Sequence, residues 1–163
     1  MDHEGKVYIK SMNLPAIAVF AVLILGAGAG SPFAAGNDDN DAVPEASVYS
    51  QAVKAVKSGK YKLAIGLLTD VLRDKPRDAD ALNYMGYSHR KTGDYVKAVA
   101  FYKRALAEKP DHLGANEYLG EAYLETGKLA EAEQRLARLK SACGGCEEYQ
   151  DLNKAVAAYK AKR

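Results

Sequence analysis

Cys143 and Cys146, in the stretch SACGGCEEYQ, are the two cysteines of the chain. Their C-x-x-C spacing admits three chemistries: a redox-active dithiol, half of a metal site, or a disulfide that closes a turn. A redox pair needs a lowered thiol pKa, ordinarily supplied by a helix N-terminus. Here Glu147 and Glu148 follow at once, and negative charge beside a thiol disfavours the thiolate. A metal site needs two further ligands, and only His112 is a candidate. His3 lies at the amino terminus, and His89 falls within an apolar helical pattern that suits a part-buried ring better than a base. The run Asp38-Asp39-Asn40-Asp41 lacks the Gly and Glu that a calcium loop places at its sixth and twelfth positions. There is no glycine-rich phosphate loop. These absences argue against an enzyme and against a bound cofactor.

Which cysteine chemistry prevails depends on the compartment. Lys6 and Lys10 precede an apolar run, Leu14 to Leu25, that softens into GAGAGSPFAAG. A positive start, a short apolar core and a small-residue exit form the secretory pattern. Residues 1–35 are therefore expected to be a signal peptide, and the chain periplasmic. The run falls short of the roughly 20 residues that span a bilayer. The alternative is an uncleaved segment that anchors the chain in the inner membrane as a scaffold. Residues 36–44 are polar and acidic and read as a disordered linker. The 23 basic and 21 acidic residues are interspersed, giving a net charge of +2. No basic stripe stands out, which argues against a nucleic-acid partner.

A period of 34 organises the rest. Gly59, Gly93 and Gly127 recur in phase, as do Ala64, Ala98 and Ala132, and Pro76 with Pro110. Three units follow: 45–78, 79–112 and 113–146. Apolar residues at helical spacing, Leu82 and Met85 and then Val99, Tyr102 and Leu106, predict two amphipathic helices per unit. A glycine turn separates the two. Small residues at Gly86, Gly120 and Ala98 predict close approach of paired helices. Neither helix can bury its face alone, so neighbouring units must stack. Beyond Cys146, Tyr149, Leu152, Val156 and Tyr159 form one apolar stripe, so residues 147–163 are expected to be a capping helix.

The middle unit, ADALNYMGYSHRKTGDYVKAVAFYKRALAEKPDH, resembles a tetratricopeptide repeat. Leu82, Met85-Gly86, Ala98, Tyr102, Ala105 and Pro110 fall on its signature positions. The third unit supplies Leu119-Gly120, Tyr123, Ala132 and Leu136, with Gly144 where the proline belongs. The first supplies Gly59, Tyr61, Ala64, Leu68 and Pro76. The resemblance implies an all-α fold: a solenoid of three helical hairpins closed by the C-terminal helix, like small exported bacterial proteins of this kind. It also implies a protein-interaction module whose first helices line a concave groove.

The groove residues carried over from the family are Asn83, Tyr84, Tyr87, Arg90, Lys91, Glu117, Tyr118 and Glu121. Tyrosines of this kind are enriched at binding hot spots. Charges of both signs suit a protein or peptide segment as partner. Members that hold acidic chaperone tails use a Lys, Asn and Arg clamp. Its positions are filled here by Tyr49, Val53, Tyr84, Gly114 and Tyr118, so that clamp is not expected. In this frame Cys143 and Cys146 fall in the turn that carries Pro76 and Pro110 in the earlier units. An exported chain favours a disulfide there, replacing the missing proline and setting the capping helix. A thiol-disulfide or redox-sensing role is the alternative.

Overall fold

The computed structural model describes residues 47–162. The expected signal peptide over 1–35 and the expected linker over 36–44, with Glu45, Ala46 and Arg163, lie outside the described residues. Seven α-helices follow in order: α1 (Val48–Lys57), α2 (Tyr61–Asp74), α3 (Ala79–Lys91), α4 (Tyr95–Glu108), α5 (Leu113–Glu125), α6 (Leu129–Cys143) and α7 (Glu147–Ala161). They form three hairpins and a final single helix. None of the described helices is long and apolar enough to cross a membrane.

Local chemistry explains the boundaries. Each hairpin turns on a glycine with positive φ: +69° at Gly59, +85° at Gly93 and +78° at Gly127. The residue after each glycine donates its amide back to the helix, as Asp94 does to the His89 carbonyl at 2.9 Å. This is a Schellman closure, in which a left-handed residue lets the chain satisfy the last carbonyls of a helix. The second helices end at Lys75 and Lys109, whose extended φ of −129° and −136° is what a following proline imposes.

Position 34 of each unit becomes the N-cap of the next helix. Asp78 accepts from the Ala81 amide at 2.9 Å, and His112 Nδ1 from the Ala115 amide at 3.2 Å. With Nδ1 accepting, the proton of neutral His112 sits on Nε2, which donates to Asp80 Oδ1 at 2.9 Å. The same register places Cys146 at the start of α7, where it makes no side-chain cap.

The core runs along the stack as three buried clusters, the smallest being Leu82, Ala105 and Ala115. Ala52, Ala64, Leu68, Ala81 and Met85 close the first hairpin onto α3. Ala98, Tyr102, Leu119, Ala132, Leu139 and Leu152 bury the other end. Gly86 is one of the close approaches anticipated between paired helices: a Cβ there would meet the Tyr102 ring of α4 at 2.7 Å. Gly120, in the same register, behaves differently. Its neighbour is Leu152 of α7, which a Cβ would meet at 2.5 Å, not a side chain of its own partner α6. The capping helix thus takes the place that pairing within the hairpin was expected to take.

Candidate functional site

The first helices pack in a row, α1 against α3, α3 against α5 and α5 against α7. Their tyrosines meet across the seams, joined by Tyr61 from the start of α2. Tyr49 and Tyr84 lie edge to face at 6.3 Å. Tyr87 is 6.1 Å from Tyr61 and 4.9 Å from Tyr118. These are the favoured offsets for aromatic pairs, which add about 0.5–1.5 kcal/mol beyond simple burial. Burial beside Asp80 and Tyr84 lifts the Tyr49 phenol to about 12.

Arg90 lies at the centre of this row. Only 8% of it is exposed. Its guanidinium sits 5.5 Å from the Tyr87 ring and 5.6 Å from the Tyr118 ring. Nη2 pairs with Glu121 Oε2 at 2.7 Å and Nη1 with Glu125 Oε1 at 3.2 Å. Burial works against the charge, but Glu121, Tyr102 and Glu125 together hold the Arg90 pKa above its usual value. Arg90 Nε and the buried Tyr102 hydroxyl are each left without a hydrogen bond. The two nevertheless couple electrostatically, since the positive charge opposes the rise that burial gives the phenol.

This burial corrects one expectation. The family register puts Arg90 and Lys91 together among the groove residues open to a partner. Instead α5 supplies two carboxylates and a ring that enclose Arg90, and only Lys91 stays exposed, its Nζ 5.2 Å from the Tyr87 ring. Asn83 and Glu117 are buried as well. Asn83 lies against α5, where a Cβ on Gly114 would meet its Nδ2 at 3.3 Å, and its Oδ1 has no partner. Burial first, then the negative charges of Glu121, Asp151 and Glu148, push the Glu117 carboxyl up to about 8. Glu121 is raised by the same burial, with Arg90 opposing. Tyr84, Tyr87, Tyr118 and Glu121 remain partly open.

Beside this cluster runs a cleft of about 260 Å³ between α3, α5 and α7. Its walls include Arg90, Glu121, Leu124 and Glu125, with Ala155 and Tyr159 from the capping helix. The sequence reading assigned α7 to capping and missed its contribution here. The signal was present in the small residues Ala155 and Ala158, one turn apart, which leave room where larger side chains would fill the space.

Elsewhere the titratable groups have structural duties. His89 stacks on Phe101 with ring centres 5.5 Å apart, and burial holds its pKa below the ordinary value. His112 is a helix cap, not a ligand beside the cysteines. Cys143 and Cys146 are joined in a disulfide. Between them Gly144 has φ +71° and ψ −54°, and the Gly145 amide donates to the Cys143 carbonyl at 2.8 Å, which makes a γ-turn. Among the described residues no group of three or more His, Cys, Asp or Glu could hold a metal ion.

Stacked helix pairs with a 34-residue period define a helical-hairpin solenoid. Two tetratricopeptide repeat models match the chain, one over residues 49–112 and one over 89–159. The chain belongs to the tetratricopeptide repeat family. No curated protein matches it.

Among solved structures, the type III secretion translocator chaperone SycD of Yersinia enterocolitica, in complex with a peptide of the translocator YopD, is 24% identical with a TM-score of 0.62. The match covers 71% of this chain and 91% of that one. The TPR2B domain of yeast Sti1, in complex with pHsp70, is 13% identical with a TM-score of 0.66, covering 71% and 95%. The second TPR domain of human RPAP3, bound to an HSP70 peptide, is 21% identical with a TM-score of 0.62, covering 68% and 92%. At these identities the likeness is one of fold.

Proposed function

We propose that this protein is an exported interaction module that holds a peptide or protein segment along its row of first helices. The observation that carries the reading is the set of partly open tyrosines, Tyr49, Tyr84, Tyr87 and Tyr118, on three successive first helices. Amphipathic rings on a rigid scaffold bind at low entropic cost. The three solved relatives named above were each captured with a peptide or a partner, which supports a binding role and not a catalytic one.

Export is supported by the sequence pattern of residues 1–35, and an exported location is where the Cys143–Cys146 disulfide would persist. Intact-mass measurement of the mature chain tests this part: loss of about 35 residues supports export with cleavage, and a full-length mass rejects cleavage.

Binding is tested by crosslinking in intact cells and comparing wild type with Tyr49→Ala/Tyr84→Ala. That pair lies apart from the Arg90 cluster. Strong loss of crosslinked partner is expected, and unchanged recovery would reject the groove.

A further inference from the structure

The cleft between α3, α5 and α7 has a composition that singles out one kind of visitor. Its floor is apolar, from Leu124, Ala155, Ala158 and the Tyr159 ring. Its inner edge carries Glu121 and Glu125, each of which spends a single oxygen on Arg90: Oε2 of Glu121 and Oε1 of Glu125. The other oxygen of each carboxylate makes no hydrogen bond among the described residues. Two carboxylates on one arginine leave an uncompensated negative charge at this edge. Asp151 lies close enough to Glu121 to add to the negative field, against Lys91 on α3 and Lys162 on the far lip of the cleft, while Glu117, its carboxyl pushed up to about 8, is mostly neutral near pH 7 and adds little charge.

Arg90 does not repel a second cation as an exposed arginine would. It lies against the neighbouring Tyr87 and Tyr118 rings, and both its terminal nitrogens are committed to carboxylates. A visitor therefore meets carboxylate oxygens first. The volume, about 260 Å³, lies below the roughly 300–1,000 Å³ of a small-molecule pocket and suits one long side chain. Lysine and arginine carry an apolar stem with a charged head, the two surfaces this cleft offers in the same order.

We propose that the cleft is an anchor pocket for a lysine or arginine side chain of the bound segment. Its stem would lie on Leu124, Ala155 and Ala158, and its charge would reach the open oxygens of Glu121 and Glu125. The inference rests on the groove reading above and adds the chemistry of the partner to it. It also reverses the charge preference of a clamp that grips acidic tails.

The test is selection of random 12-residue peptides on the immobilised full chain, followed by affinity measurement of the enriched peptides. Each is measured against wild type, Glu121→Gln/Glu125→Gln, Ala158→Trp and Tyr49→Ala/Tyr84→Ala, with helicity checked by circular dichroism. Ala158→Trp fills the cleft from an exposed position without touching the ion pairs, so it serves if the double glutamine variant loses its fold.

The expected result is one fixed basic position in the enriched peptides. Replacing it with norleucine, or using either cleft variant, should weaken binding on the order of tenfold. Peptides that need Tyr49 and Tyr84, lack a basic position and bind Ala158→Trp as tightly as wild type would overturn the pocket and leave the groove standing. Enrichment of acidic peptides would also overturn it. If no peptide is enriched, or binding ignores all three variants, the groove reading fails and the pocket with it.

Discussion

The junction from α4 to α5 and the junction from α6 to α7 occupy the same place in successive repeats and are built from different chemistry. At the first, Pro110 ends one helix and His112 caps the next, while the fully buried Asn116 ties the turn together. Its Nδ2 donates to the carbonyls of Pro110 at 3.1 Å and His112 at 3.0 Å, and its Oδ1 accepts from Arg135 at 3.3 Å. At the second, the proline is replaced by Gly144 in a γ-turn, and position 34 holds Cys146, which caps nothing. Gln150 returns to the Gly145 carbonyl at 2.8 Å, and Lys160 pairs with Glu133 across α6 and α7. The first junction is held by polar side chains and the second by a covalent bond and by the leucine that α7 drives against Gly120. A turn between repeats can evidently be set by local hydrogen bonds. A turn into a terminal helix, with no further unit to hold it, draws more on packing and cross-linking.

The sharpest way to break this contrast is Leu152→Ala. The side chain is fully buried, so its removal should cost about 3 kcal/mol and be read as a lower denaturant midpoint. Loss of hydrogen-exchange protection should concentrate in α7 and α5, leaving α1 and α2 near wild type. Gly120→Ala comes next, because its new methyl would drive into Leu152. A cost of about 2 kcal/mol is expected by calorimetry or chemical denaturation. Gly86→Ala should cost a similar amount at Tyr102 but should loosen α3 from α4 and leave α7 protected.

Reducing the cysteines, or making Cys143→Ser/Cys146→Ser, should cost at most about 2 kcal/mol, since the loop they close is so short. His112→Ala removes a cap and should cost about 1 kcal/mol at the other junction. If the cysteine change leaves the unfolding midpoint and the hydrogen-exchange protection of α7 unchanged, the covalent account of the α6–α7 turn is wrong.

A shallower effect concerns pH. Glu117 titrates at about 8 in the folded chain against 4.5 as a free group. Between those values the folded state keeps a proton that the unfolded chain has released, so stability falls as pH rises from about 4.5 to 8. Unfolding midpoints measured across that range should decline more gently in Glu117→Gln than in wild type. Equal slopes would show that Glu117 does not govern the α5–α7 seam.

Much of the architecture was legible in residues alone. Gly59, Gly93 and Gly127, with Pro76 and Pro110, mark turns through backbone conformations that only those residues favour, and such signals need no partner to be read. The repeat register also put Tyr49, Tyr84, Tyr87 and Tyr118 on the first helices α1, α3 and α5, where they stand. The burial of Arg90 was not legible. Its sequence neighbours give no hint that Glu121, Glu125 and Tyr118 will enclose it, because those residues belong to the next repeat and meet it only when α5 stacks on α3. Gly120 was half legible: the need for a small residue was evident, and the side chain that requires it was not.

The sequence by itself therefore determined the period, the seven helices and the turns between them, because each depends on conformational preferences expressed within a few residues. Tertiary structure alone decided which charges are buried and which are open. It also decided that α7 leans on α5 and that a cleft with an acidic edge lies between them. Those features arise from contacts between residues thirty or more apart, where packing and desolvation, not local propensity, set the outcome.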